Sequence, residues 1–175
     1  MAIDTAETTT TATETTDCVM EQPQAEHEWL QKFVGEWDSE CEMVTPTGET
    51  FKVTGTMSVR SIGGFFIHGE STSEMPGGGS GTSFITLGFD AQQGKYVGTW
   101  FGSMMTKLWI YDATREGNKL ILASEGPSFT TPGATAMYHD IVELVSDDHH
   151  TLTARFQNED GSWSEMMKTD YYRKS

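Results

Sequence analysis

From Trp37 onward the apolar residues return every second position. Trp37, Cys41 and Met43 alternate with Asp38, Glu40 and Glu42. Phe51, Val53, Gly55, Met57 and Val59 alternate with Lys52, Thr54, Thr56, Ser58 and Arg60, and Leu152, Ala154 and Phe156 with Thr151, Thr153, Arg155 and Gln157. A period of two with one apolar and one polar face predicts antiparallel strands, buried on one side and wet on the other. Turn signals separate the stretches: Pro46-Thr47-Gly48, Gly63-Gly64, Pro76-Gly77-Gly78-Gly79, Gln93-Gly94, Glu116-Gly117-Asn118, Asp147-Asp148 and Asp160-Gly161. Counting the segments gives about ten strands, most joined by hairpins. Ahead of them, Trp29, Leu30, Phe33 and Val34 cluster on one helical face in the run His27–Val34, with Gly35 to stop the helix. No βαβ rhythm or internal repeat is present.

Consecutive strands with one short helix must dispose of two sheet edges. Closing the sheet into an up-and-down barrel removes both, whereas a sandwich only shortens them. The predicted fold is therefore all-β, an antiparallel up-and-down barrel of about ten strands with the N-terminal helix plugging one end through Trp29, Leu30 and Phe33. A barrel of that size has an interior too wide for backbone to fill, so side chains or a ligand must occupy it.

Composition narrows the function classes. The 175 residues hold 11 Lys+Arg against 26 Asp+Glu, a net charge of −15. That balance repels phosphates and argues against nucleic acid and anionic membrane as partners. No apolar run nears the roughly 18 residues of a membrane helix, and no basic n-region with an apolar stretch opens the chain, so the expected location is cytoplasmic. Residues 1–25 lack any Lys or Arg and are rich in Thr and acids; they read as a disordered acidic tail ahead of a barrel domain at 26–175. Val19 and Met20 are the tail's only apolar anchors, and Cys18 within it reads as an incidental free thiol.

Several segments together resemble a known family. Leu30-x4-Gly35-x-Trp37, the central Tyr96-Val97-Gly98-Thr99-Trp100 with Ser103-Met104, and the closing Asp160-Gly161, Met167-Lys168 and Tyr172-Arg173-Lys174 are similar to the bacterial domain of unknown function 1579 family. The Gly-x-Trp opening also resembles that of the calycins, the lipocalin and fatty-acid-binding-protein superfamily. The resemblance covers about residues 27–174 and implies a lipocalin-like barrel with no established activity. It further implies that Arg173 stacks over Trp37 or bonds nearby carbonyls, a structural pair rather than a ligand site. Gly35 is expected to let the helix pack closely against Trp37.

Candidate chemistry centres on the barrel interior. Tyr96, Gly98, Trp100 and Gly102 share one strand face, leaving room beside flat rings, and Phe65, Ile67, Leu87 and Phe89 add apolar wall. Methionines 57, 104, 105, 137, 166 and 167 supply adaptable surface. Among polar groups, His139 lies between apolar Met137 and Ile141, while Arg60 and His68 fall opposite the clearest apolar positions; Glu70 and Glu125 are further candidates. The residues expected to line a cavity are Phe65, Tyr96, Trp100, Met137 and His139, around a small hydrophobic molecule. The rival expectation is a filled barrel that dimerises or docks a partner through a patch such as Tyr171-Tyr172, which leaves a homo-oligomer open.

Metal, haem and hydrolytic chemistry find little support. His149-His150 after Asp147-Asp148 reads as a polar hairpin turn, and no Cys-x-x-Cys, His-x-His or His-Glu-x-x-His spacing occurs. The nitrobindins, related barrels, bind haem through a wall histidine, but their Gly-x-Trp-x-Gly-x-Gly opening is incomplete in Gly35–Cys41; His139 would be the only haem ligand to name. No Gly-x-Ser-x-Gly elbow or phosphate loop is present. Cys41 reads as a small hydrophobe. No cofactor, metal or catalytic residue is expected.

Overall fold

The alternation is realised as ten strands and one helix. The computed structural model describes residues 20–44, 48–75, 77–128 and 130–175. Helix α1 (Ala25–Gln31) is followed by β1 (Gly35–Val44), β2 (Thr50–Ile62), β3 (Phe66–Glu74), β4 (Ser80–Asp90) and β5 (Lys95–Gly102). The second half comprises β6 (Trp109–Glu116), β7 (Lys119–Pro127), β8 (Thr135–Ser146), β9 (His149–Gln157) and β10 (Trp163–Arg173). Each strand pairs antiparallel with the next, and β1 pairs with β10 to close the barrel. Trp37 thus stands opposite Met57 on one side and Arg173 on the other. The expected tail lies outside the described residues up to residue 19, and Val19, Cys18 and Pro46-Thr47 fall outside them too.

The helix is placed earlier than the apolar spacing predicts. It starts at Ala25, where Gln24 and His27 cap one another: the Gln24 N–H donates to His27 Nδ1 (2.9 Å) and His27 Nε2 donates to Phe89 O (3.0 Å). It ends at Gln31 because Phe33 and Val34 turn back through i→i−3 bonds to Leu30 and Gln31. Phe33 drops beneath the last turn, and Trp37 Nε1 donates to its carbonyl at 2.9 Å. Trp29, Leu30, Phe33 and His27 are all buried, so the helix does stopper one mouth.

Closure is locked at that mouth by Arg173. Its guanidinium lies 4.1 Å from the Trp37 ring and donates to Val34 O (2.8 Å), Lys32 O (2.9 Å) and Asp147 O (2.9 Å). One side chain near the C-terminus therefore satisfies carbonyls left over where the helix ends. Gly35 serves this contact rather than helix packing. A Cβ there would lie 2.3 Å from Arg173 Nη1, at a φ of +144° that L side chains rarely adopt.

Candidate functional site

The inner wall changes character along the barrel axis. Next to α1 it is built of Trp37, Val59, Ile67, Leu87, Tyr96, Leu120, Leu122 and Leu144, all buried in one apolar cluster. Towards the far mouth the same strands present Ser71, Ser73, Ser83 and Ser164, which keep accessible surface, while the space expected beside Gly98 and Gly102 is taken by Leu87 and Met104 and that beside Gly55 by Ser73. Ser39, Cys41 and Met43 on β1, and Phe51, Val53 and Met57 on β2, are likewise only part-buried although they face inward. Small side chains on a wall of fixed circumference leave volume unfilled. The stoppered half is tightly filled, whereas inward side chains of the far half keep accessible surface.

Methionines gather at the far mouth. A Cβ on Gly81 would meet Met75 Sδ at 2.7 Å and one on Gly102 would meet Met104 Sδ at 2.4 Å, so both thioethers fold over glycines of the inner wall. Trp109 Nε1 donates to Met105 Sδ at 3.1 Å. Thioethers on flexible stems can reshape around an occupant.

Polar groups sit at the middle of this wall. Tyr111 on β6 donates its hydroxyl to Asp140 Oδ2 on β8 at 2.5 Å. Burial raises the Asp140 carboxyl above its ordinary range, opposed by the Tyr111 bond. Tyr171 on β10 faces the same space; burial, then Cys41, and also Asp140 push its phenol upward, while Thr169 opposes. The Cys41 thiol is raised by burial, with Thr169 again opposing. Below them His150 is held between Tyr171, stacked at 4.5 Å, and the edges of Trp37 (4.3 Å) and Phe33 (5.2 Å). Burial, and then the charges of His149 and Arg173, bring its imidazole down to about 3.

The expected cavity residues do not assemble. Tyr96 and Trp100 face inward, but Tyr96 is packed under α1 against Trp29 and Phe89, its hydroxyl 3.3 Å from Glu26 O. Trp100 lies farther along the wall, its ring over Gly102. Phe65 lies in the β2–β3 turn, its ring edge-on to His27 at 5.3 Å. Met137 and His139 are on the outer wall, because Tyr138, Asp140, Val142 and Leu144 take the inner positions of β8. His139 is stacked on Trp163 at 4.1 Å and bonded to Arg155 Nη2 at 3.1 Å, and so is turned away from any interior haem. The inward histidine is His150, which belongs to β9 rather than to the hairpin turn. Tyr171 is inside, leaving Tyr172 alone exposed and stacked on His149.

The residues that sequence reasoning missed are Asp140 and Tyr111. The signal was present: Tyr138, Val142 and Leu144 alternate as cleanly as Met137 and Ile141, with Asp140 in their row. Arg60, Glu70 and Glu125 are exposed on the outer wall, and His68 is spent on Thr86 Oγ1 (2.9 Å). Among the described residues no three His, Cys, Asp or Glu side chains come together as metal ligands, and no helix is long and apolar enough to cross a membrane.

Comparisons with known proteins agree with this architecture. No curated protein matches the chain. Among solved structures, Rv2717c from M. tuberculosis superimposes with a TM-score of 0.59 at 10% identity, covering 88% of this chain and 100% of that one. The S-type phycobiliprotein lyase CPES from Guillardia theta gives 0.56 at 11% identity, covering 87% and 99%. Both likenesses are of fold. A family model described as "Protein of unknown function (DUF1579)" matches residues 22–173 and so spans all ten strands; the chain belongs to that family, DUF1579.

Proposed function

We propose that the barrel holds a small, mostly apolar molecule in the half remote from α1. The observation that carries this reading is the gradient along the inner wall, from fully buried Leu120 and Leu122 to part-buried Ser71, Ser73 and Ser83. Burying ligand carbon there contributes about 25 cal/mol per Å² before the cost of association. The methionine rim and the flat face of Trp100 suit an elongated or planar hydrocarbon body. Of the residues expected from sequence, Trp100 remains a proposed lining residue, while Tyr96 belongs to the floor.

Native mass spectrometry of the purified protein tests the reading, with fatty acids, retinoids and haem as added probes. The expected result is a stoichiometric adduct with at least one apolar probe, lost when Ser83→Phe fills the chamber without lowering the melting temperature. A clean apo mass with every probe would overturn it.

A second reading rests on the outer wall. A groove of about 750 Å³ crosses β3 to β8, lined by Phe66, Val97, Ile110 and Met137. Ile110 is 66% exposed and Phe66 40%. Exposed apolar surface of this kind suits self-association or a protein partner. Sedimentation across a range of concentrations decides it: a mass that rises with concentration in the wild type, and not in Ile110→Glu, supports an interaction module.

A further inference from the structure

Resting on the chamber reading, we infer that Asp140 and Tyr111 form the anchor for a cationic nitrogen, so that the molecule held is an apolar body bearing a protonated amine. Three observations converge on the class. First, one carboxylate oxygen has no hydrogen-bond donor among the described residues. Asp140 Oδ2 takes the Tyr111 hydroxyl, while Oδ1 accepts nothing from the described residues. Asp140 is part-buried on the inner face of β8, and its Oδ1 is not among the sealed, unpartnered side-chain atoms, which are His150 Nδ1 and Arg155 Nε.

Second, the site lacks its own counter-charge. No ion pair of the described residues involves Asp140, and the groups that face it are the phenols of Tyr111 and Tyr171. An ionised carboxylate is an acceptor only, and in a largely dehydrated setting its ionisation is costly unless a cation or further donors approach. Tyr111 supplies one donor and fixes the carboxylate's orientation; a second N–H at Oδ1 would complete it. Third, the whole chain carries −15. Its field concentrates cations and depletes anions around it, so a fatty acid is the least favoured head group and an amine the most.

The chemistry predicts a pH signature. Asp140 starts with a raised pKa, so an amine binds best where the carboxylate is ionised, and affinity falls as acid protonates it.

Calorimetric titrations with decanol, decanoate and decylamine, one chain length with three head groups, test the inference at about 0.15 M salt, where surface attraction is screened. The wild type is expected to bind decylamine at least about tenfold more tightly than decanoate, a difference typical of a charge-assisted bond. Asp140→Asn should erase that preference by weakening decylamine binding at least about tenfold. Tyr111→Phe, which keeps the acid, should retain the preference but move its pH midpoint upward, because the stabilising hydroxyl is gone. Decanol binding without an amine preference, or a preference that survives Asp140→Asn, would overturn the anchor and spare the chamber. Binding of none of the three would remove both.

Discussion

Two residues show how much of this barrel is decided by single side chains at its stoppered end. Gly35 exists to give Arg173 room, and Arg173 exists to join the helix exit to the final strand; the sequence motif and the closing arginine are one contact seen twice. His150, one layer further in, is enclosed by Phe33, Trp37 and Tyr171 and has an unpartnered Nδ1. An imidazole so placed must be neutral in the folded state, and the sign of its effect follows. Its folded pKa of about 3 lies below the ordinary value of 6.5, so between those limits the unfolded chain binds the extra proton. Stability from this group is complete above pH 6.5 and is lost as the pH falls towards 3. From pH 7 to 4.5 the loss is about 2–3 kcal/mol. Urea titrations at the two pH values should show it in the wild type. In His150→Phe, which keeps the ring contacts and cannot take a proton, that share of the acid sensitivity should vanish. An unchanged pH dependence in the variant would mean that the ring is not held neutral.

At the level of elements, α1 is a seven-residue helix too short to persist alone, so its order depends on what it covers. Trp29 is 6% exposed, edge-on to Phe33 and Tyr96, with the Arg115 guanidinium 4.5 Å above its ring. Trp29→Ala should cost about 3–5 kcal/mol and lower the melting temperature by roughly 6–20 °C. A fall of only a degree or two would mean that the barrel stands without its stopper. This helix was legible because four large apolar residues in six positions fit no strand, although only Trp29 and Leu30 lie within it and Phe33 and Val34 follow its end; β1, β2 and β9 were legible because their polar faces are unambiguous. The candidate site was not legible, for a physical reason specific to β8. Both faces of that strand carry apolar residues, since Met137 lines the outer groove and Ile141 is part-buried on the same face, while Tyr138, Val142 and Leu144 fill the inside. Alternation then gives two equally good registers, and a one-residue slip exchanges His139 for Asp140 as the inward polar group. The pairing of Asp140 with Tyr111, 29 positions away, comes only from the closed sheet.

The whole molecule carries its charge unevenly, and this makes a sign that can be measured. Glu36, Asp38, Glu40 and Glu42 form one outer row on β1, spaced by two residues, about 7 Å apart. Asp38 is relieved by Lys174 (3.1 Å) and Glu42 by Lys52 (3.4 Å), but Glu40 has no such partner among the described residues and stands directly across from Asp170 on β10, which is itself held by His149 (2.8 Å) and Lys168 (3.9 Å). Like charges opposite one another on neighbouring strands destabilise a sheet. At about 7 Å in water each such contact is worth roughly 0.6 kcal/mol before screening, so a few of them sum to about 1–2 kcal/mol. The ion pairs work the other way, but their partners are largely solvent-exposed, where each contributes about 0.2–1 kcal/mol and is itself screened. With 26 acids against 11 bases, repulsion outnumbers attraction, and it acts over a longer range because the Debye length is about 30 Å at 0.01 M salt and about 8 Å at 0.15 M. Raising the salt across that interval should therefore stabilise the fold, moving the urea midpoint up. Glu40→Lys should do the same at low salt by turning one repulsion into an attraction to Asp170, and its advantage should shrink as salt is added. A midpoint that falls with salt would mean that the exposed pairs, not the excess of carboxylates, govern the electrostatics of the barrel.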